Sequence, residues 1–253
     1  MTSDSLSGCR LIFLNGWAAS SAMLGSFKSQ LPASYDLIIL DGLYQFELAD
    51  IVIKIDELMT DDTVLVGWSL GGMLALYYAS LSSGKHQAKA LILLNASACF
   101  LERDDYPQGV KRIEFEGLKH VVQAQDSKAL LRLFTHLLVD GSQTHKQDRR
   151  LLKQIFNTDV LPTWKTLAKG LAYLESLDLR AILTSIQQPT LAVLGENDVL
   201  VSASSASSLS QKNTHFIVNT IYGMGHFPFG MFAEKVTNSI VAYVSSLNGK
   251  SQS

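Results

Sequence analysis

Cysteine is almost missing from this chain: Cys9 and Cys99 are the only two among 253 residues. Two cysteines make neither a disulfide framework nor a metal site at ligand spacing, so a reducing, cytoplasmic setting without a bound metal is expected. Long apolar runs are missing too, and no membrane association is expected. The start of the chain has no basic segment followed by an apolar one, so no secretory signal is expected. Charge of one sign is also lacking. The formal net charge is −2, which argues against nucleic acid as the main partner. Internal repeats are absent, and low complexity is confined to the Ser-rich stretch Ser202–Ser210. Only the Ser-rich ends, Met1–Gly8 and Asn248–Ser253, have a composition that favours disorder.

What remains is a core-forming composition, 47% hydrophobic and 17% charged, which suits one large α/β domain better than two small ones. Short apolar runs read as buried strands at Arg10–Leu14, Tyr35–Leu40, Thr63–Val66 and Ala88–Leu94. Helical spacing separates them at Leu48–Met59 and Met73–Leu81. Little in–out polarity within each strand indicates a parallel sheet covered on both faces. After Asn95 the alternation stops, and from about Phe100 to Ile186 only helical patterns appear, such as Ser127–Leu138, Gln147–Phe156 and Trp164–Leu174. Strand character resumes at Thr190–Leu194 and Thr214–Val218, and a helix over Met231–Leu247 ends the pattern. The expected architecture is an α/β-hydrolase core, residues 1–99 and 187–253, with a helical cap inserted over residues 100–186.

The stretch Gly67-Trp68-Ser69-Leu70-Gly71-Gly72 sits where a strand gives way to a helix. G-x-S-x-G in that setting places a serine at the tip of a tight turn, with its hydroxyl aimed off the sheet edge. A serine nucleophile needs a base, and the base needs an orienting acid, in the chain order Ser, acid, His. The acid is expected after the strand Thr190–Leu194, where Glu196 and Asp198 stand, and Asp198 is the better placed. The base is expected after the last strand, where Gly225-His226-Phe227 supplies His226. The amides of Leu70 and Trp17 are candidate oxyanion donors, and Trp17 and Trp68 are candidate walls of the acyl pocket. A fold-sharing binding protein without turnover is the alternative from another class, and the intact Ser–acid–His set argues against it.

These residues resemble the BioH-type pimeloyl-[acyl-carrier protein] methyl ester esterases. The resemblance rests on Asn15-Gly-Trp17, Gly-Trp-Ser-Leu-Gly-Gly, Asn95-Ala-Ser-Ala-Cys-Phe100 and Arg103-Asp-Asp-Tyr-Pro107. It continues through Gly170-Leu-Ala-Tyr-Leu174 and Leu177-Asp-Leu-Arg180. Asn15 replaces the usual His, and Tyr106 stands where Trp is common. The resemblance implies a serine carboxylesterase that frees the pimeloyl carboxylate for biotin synthesis. It implies an acyl carrier protein as partner, no cofactor, and carrier-contacting positions at Lys128, Arg132, Lys146 and Arg150. An independent feature agrees with an acidic partner. Between Lys111 and Lys169 there are 11 Lys/Arg against six Asp/Glu, a local +5 in a chain of net −2. A monomer is expected, and the competing reading is a general carboxylesterase acting on free short-chain esters.

Overall fold

A computed structural model describes residues 9–81, 87–156, 161–205, 209–210 and 213–250. The Ser-rich ends therefore fall largely, and the stretch Ser202–Ser210 partly, outside the described residues. Six parallel strands form one sheet in the order β2-β1-β3-β4-β5-β6. They are β1 (Arg10–Leu14), β2 (Asp36–Leu40), β3 (Thr63–Trp68), β4 (Ala90–Leu94), β5 (Thr190–Gly195) and β6 (Phe216–Ile221). The inner strands β3, β4 and β5 are buried along their whole length, which is why they read as unbroken apolar runs. The outer strands β2 and β6 are partly exposed, as sheet edges are.

Helices α1 (Gly25–Gln30), α2 (Leu48–Asp56) and α3 (Leu70–Ser80) join the first strands, and α8 (Ala233–Lys250) follows β6. α3 is apolar on every side and is buried from Leu70 to Leu76, as a helix packed against the sheet must be. Between the neighbouring strands β4 and β5 the chain makes α4 (Arg112–Gln123), α5 (Ser127–Val139), α6 (His145–Ile155) and α7 (Trp164–Ser176). Each buries one stripe: Phe115, Leu118 and Val122 on α4, and Leu167, Gly170, Leu171 and Leu174 on α7. Asp126 caps α5 by accepting from the Ala129 amide (2.9 Å), and Thr163 caps α7 by accepting from the Thr166 amide (3.2 Å).

The two passages between sheet and helices are clasped together. Cys99 and Asp178 form an antiparallel bridge, and the Leu179 amide donates to Ala98 O at 2.7 Å. Arg180 pairs with Asp178 (2.6 Å) and Asp105 (3.0 Å) and lies over the Tyr106 ring. Hydrogen bonding from Arg180 holds the Asp178 carboxyl below the usual carboxylate range, so the pair stays ionised at neutral pH. Burial pushes the neighbouring Cys99 thiol up, which leaves it a small apolar filler.

Candidate active site

The strand register brings five loops to one edge of the sheet. Leu14 pairs with Gly67, Trp68 with Leu94, and Gly195 with Ile221, so the chain leaves all these strands at the carboxyl side. Ser69 follows β3 directly, with φ 53° and ψ −119°. That strained conformation is tolerated because its neighbours over-determine it. A Cβ on Gly67 would lie 2.5 Å from Gly71 O and from the Gly72 Cα, so the turn closes only with glycine there.

Ser69 Oγ lies 3.0 Å from His226 Nε2, and His226 Nδ1 lies 2.7 Å from Asp198 Oδ2. The other Asp198 oxygen accepts from the amides of Leu200 (2.8 Å) and Val201 (2.9 Å). A carboxylate held by two amides can only accept, so the ring donates from Nδ1–H and leaves Nε2 free to take the serine proton. His226 and Asp198 are buried, which shields their contact from water. Glu196, the competing acid, is exposed and instead accepts from the Gly223 amide at 3.1 Å.

Asn95 ties this arrangement together. Its Nδ2 donates to Gly225 O and His226 O, both at 3.0 Å, while its Oδ1 accepts from the Gly195 amide at 2.7 Å. Asn95 itself has φ 43°, a conformation that a short amide side chain tolerates better than most. The Trp68 indole N–H adds a bond to His226 O at 3.1 Å, and its ring packs edge-on against Phe229.

Opposite the serine runs the loop Asn15–Ala18. The amides of Trp17 and Leu70 have no hydrogen-bond partner among the described residues. Leu70 N–H is the first of a helix, and such groups face anions readily. Asn15 hydrogen-bonds to Asp41, which also accepts from the Ser21 amide. The Tyr44 hydroxyl accepts from the Ala18 amide at 2.9 Å, and burial pushes this phenol well above the usual tyrosine range. The Trp17 indole N–H donates to Leu167 O on α7 at 2.9 Å. Ser69, His226, Trp17 and Trp68 open onto a cavity closed by Phe100, Phe134 and Leu174. It is lined mainly by apolar side chains and has a volume of about 30 Å³.

A second, open groove lies between α5 and α6 on the outer face. Its volume is about 490 Å³, and its polar lining is Arg132, Thr135, His136, Arg149 and Lys153 around Leu131 and Phe156. Of the four basic positions named from sequence, only Arg132 lines this groove; Lys128, Lys146 and Arg150 are exposed beside it on the same two helices. None of the six cations has an acidic partner among the described residues. Arg149 and Lys153 share one face of α6 with Lys146 and Arg150, at i, i+3, i+4 and i+7, so spacing alone does not tell which of the four meet the groove. Only its packing against α5 selects the groove side. Among the described residues no group of His, Cys, Asp and Glu could hold a metal ion, and no helix is long and apolar enough to cross a membrane.

A sequence profile described as alpha/beta hydrolase fold matches residues 10–230, and the chain belongs to that family. A pimeloyl-[acyl-carrier protein] methyl ester esterase of Xylella fastidiosa is 30% identical over 95% of this chain and 96% of its own length. One of Xanthomonas campestris is 29% identical over the same shares of the two chains. Among solved structures, an esterase from Exiguobacterium antarcticum superimposes with a TM-score of 0.80 at 25% identity, covering 94% of this chain and 92% of its own. A bromoperoxidase from Bacillus anthracis shares the fold with a TM-score of 0.81 at 19% identity, over the same shares of the two chains. Within its family, the chain is a BioH-type α/β hydrolase, a carboxylic ester hydrolase.

Proposed function

We propose that this chain hydrolyses the methyl ester of a pimeloyl group carried on acyl carrier protein, with Ser69, His226 and Asp198 as its catalytic triad. The observation that carries this reading is the Ser69–His226–Asp198 chain of contacts, lying at a cavity roofed by helices whose groove carries Arg132, Arg149 and Lys153. Ser69 Oγ attacks the ester carbonyl as His226 Nε2 takes its proton. The amides of Trp17 and Leu70 hold the oxyanion, and His226 passes the proton to the departing methoxide, which leaves as methanol. Water, deprotonated by His226, then cleaves the acyl-enzyme; the acid product leaves and Ser69 regains its proton. Residues 100–186 act as a cap over a core of residues 1–99 and 187–253. Cations of α5 and α6 — Lys128, Arg132, Lys146, Arg149, Arg150 and Lys153 — draw in the acidic carrier protein. The enzyme acts in the cytoplasm as a monomer without a cofactor.

The test compares pimeloyl-carrier-protein methyl ester with a small free ester of the same diacid, at low and high salt. A preference for the carrier-linked substrate that collapses with salt is expected, as is its selective loss in the R132E/K153E double variant. Equal rates indifferent to salt would refute carrier recognition. They would favour a carboxylesterase for free short-chain esters, a reading that the 25%-identical esterase also supports. S69A is expected to abolish turnover of both substrates.

A further inference from the structure

Asp148 is a carboxylate with only 1% of its surface exposed, on a helix whose cations point to solvent. Burying a charge is costly unless its oxygens are satisfied, yet no cation pairs with it among the described residues. Its two oxygens go instead to neutral donors. One accepts from the Thr144 hydroxyl, within its own helix start, and the other accepts from the Met231 amide at 2.9 Å. Met231 ends the loop that leaves β6 and carries His226. Gly230 makes this approach possible, since a Cβ there would fall 2.0 Å from Asp148 Oδ1.

This contact closes a series that fastens residues 138–148 to the loops of both candidate triad partners. The Phe227 amide donates to Leu138 O (3.0 Å), and the Gln143 amide donates to Gly223 O (2.9 Å). Asn197 Nδ2 donates to Gly141 O (2.9 Å). Of these links, only the one at Asp148 has a side chain of the helical segment as acceptor. It is also the only one made by α6, which bears Lys146, Arg149, Arg150 and Lys153.

The geometry points to Asp148 as a positioning residue for His226: through the Met231 amide it holds the histidine loop against α6, so that the basic helix and the base form one body. This rests on the esterase reading given above, and it adds a residue that touches neither substrate nor triad. Its role predicts that loosening Asp148 slows proton transfer at Ser69 while leaving substrate affinity nearly intact.

The test follows two readouts in the full chain, kcat and KM for p-nitrophenyl acetate and the rate at which a fluorophosphonate labels Ser69. In labelling, Ser69 Oγ bonds to phosphorus, fluoride leaves, and His226 takes the proton. D148A is expected to lose roughly 10-fold or more in kcat and in labelling rate, with KM within about two-fold of wild type. D148N keeps an oxygen for the Met231 amide and a donor for Thr144, and is expected to recover at least half of both rates. A folded D148A at wild-type kcat would overturn the proposal, as would a D148N as impaired as D148A. If D148A does not fold, T144V decides: a loss of roughly 2–5-fold in kcat supports the role, and wild-type kcat overturns it. A wild-type chain that is neither labelled nor active would instead refute the esterase reading, a failure distinct from these.

Discussion

Replacing Gly170 by alanine tests whether the helical segment supports the oxyanion loop. Gly170 lies in the middle of α7, where alanine alone would favour the helix by about 1 kcal/mol. Here the added Cβ would sit 2.5 Å from Trp17 Cδ1 and 2.7 Å from Tyr44 Cδ2. Carbon atoms in contact prefer about 3.5–4.0 Å, so one ring or the helix must move by roughly 1 Å. Neither ring moves freely. Trp17 is bonded to Leu167 O and packs edge-on against Phe134, while Tyr44 is fully buried and holds the Ala18 amide. Overpacking of this kind costs about 1–3 kcal/mol, so the net effect is a loss of about 0–2 kcal/mol and a Tm lower by up to about 8 °C. Because Trp17 carries a candidate oxyanion amide, kcat for a free ester is expected to fall by roughly 10- to 100-fold. G117A on α4 is the control. Nothing lies within 4 Å of a Cβ there, so it should raise Tm by about 2–4 °C and leave kcat unchanged. Thermal melts and steady-state kinetics on the two variants suffice. A G170A protein with a raised Tm and wild-type kcat would refute the coupling of α7 to the oxyanion loop.

Three further outcomes are expected. N95A would strand the Gly195 amide and the Gly225 carbonyl and place alanine at φ 43°, so chemical denaturation should show a loss of about 3 kcal/mol or more. Y44F would leave the buried Ala18 amide without its acceptor, costing about 1–3 kcal/mol by the same assay and lowering kcat more than it raises KM. Burial raises the Asp148 carboxyl pKa, against the opposing pull of Thr144 and the Met231 amide. The folded state thus binds this proton more tightly than the unfolded chain. The stability it contributes is full below about pH 4, and it is lost as pH rises through the folded value. D148N has no such dependence, so its Tm should gain on wild type between pH 4 and pH 7. A constant difference across that range would refute the assignment.

Much of this was legible because buried parallel strands leave an unbroken apolar signature. β1 is found at Arg10–Leu14, as its sequence reads, and the inner strands depart from their expected bounds by only a residue or two. β6 runs on to Ile221, past the expected Val218, because as an edge strand it admits Asn219 and Thr220. α3 begins at Leu70 rather than Met73, because packing against the sheet overrides the low helix propensity of Gly71 and Gly72. α4 lies within the stretch that reads as helical, but its own bounds are hard to read, its stripe of Phe115, Leu118 and Val122 being masked by charges and Gly117. At the candidate site, residues with a motif were readable in order along the chain. Asn95, Tyr44 and Asp148 act on backbone groups distant in sequence, and no local pattern marks such contacts. The same holds for Arg149 and Lys153, whose facing depends on how α6 lies against α5.

β4 and β5 are neighbours in the sheet although about 95 residues separate them, against about 21 between β3 and β4. Loop-closure entropy grows only with the logarithm of length, so this detour costs the sheet about 1.3 kcal/mol more than the ordinary crossover. Chain can therefore be added, removed or exchanged between these two strands with little effect on their pairing. What limits such exchange is not the sheet but the contacts at Leu138, Gly141, Gln143, Asp148, Leu167, Gly170 and Asp178, to which a new insertion would have to be refitted.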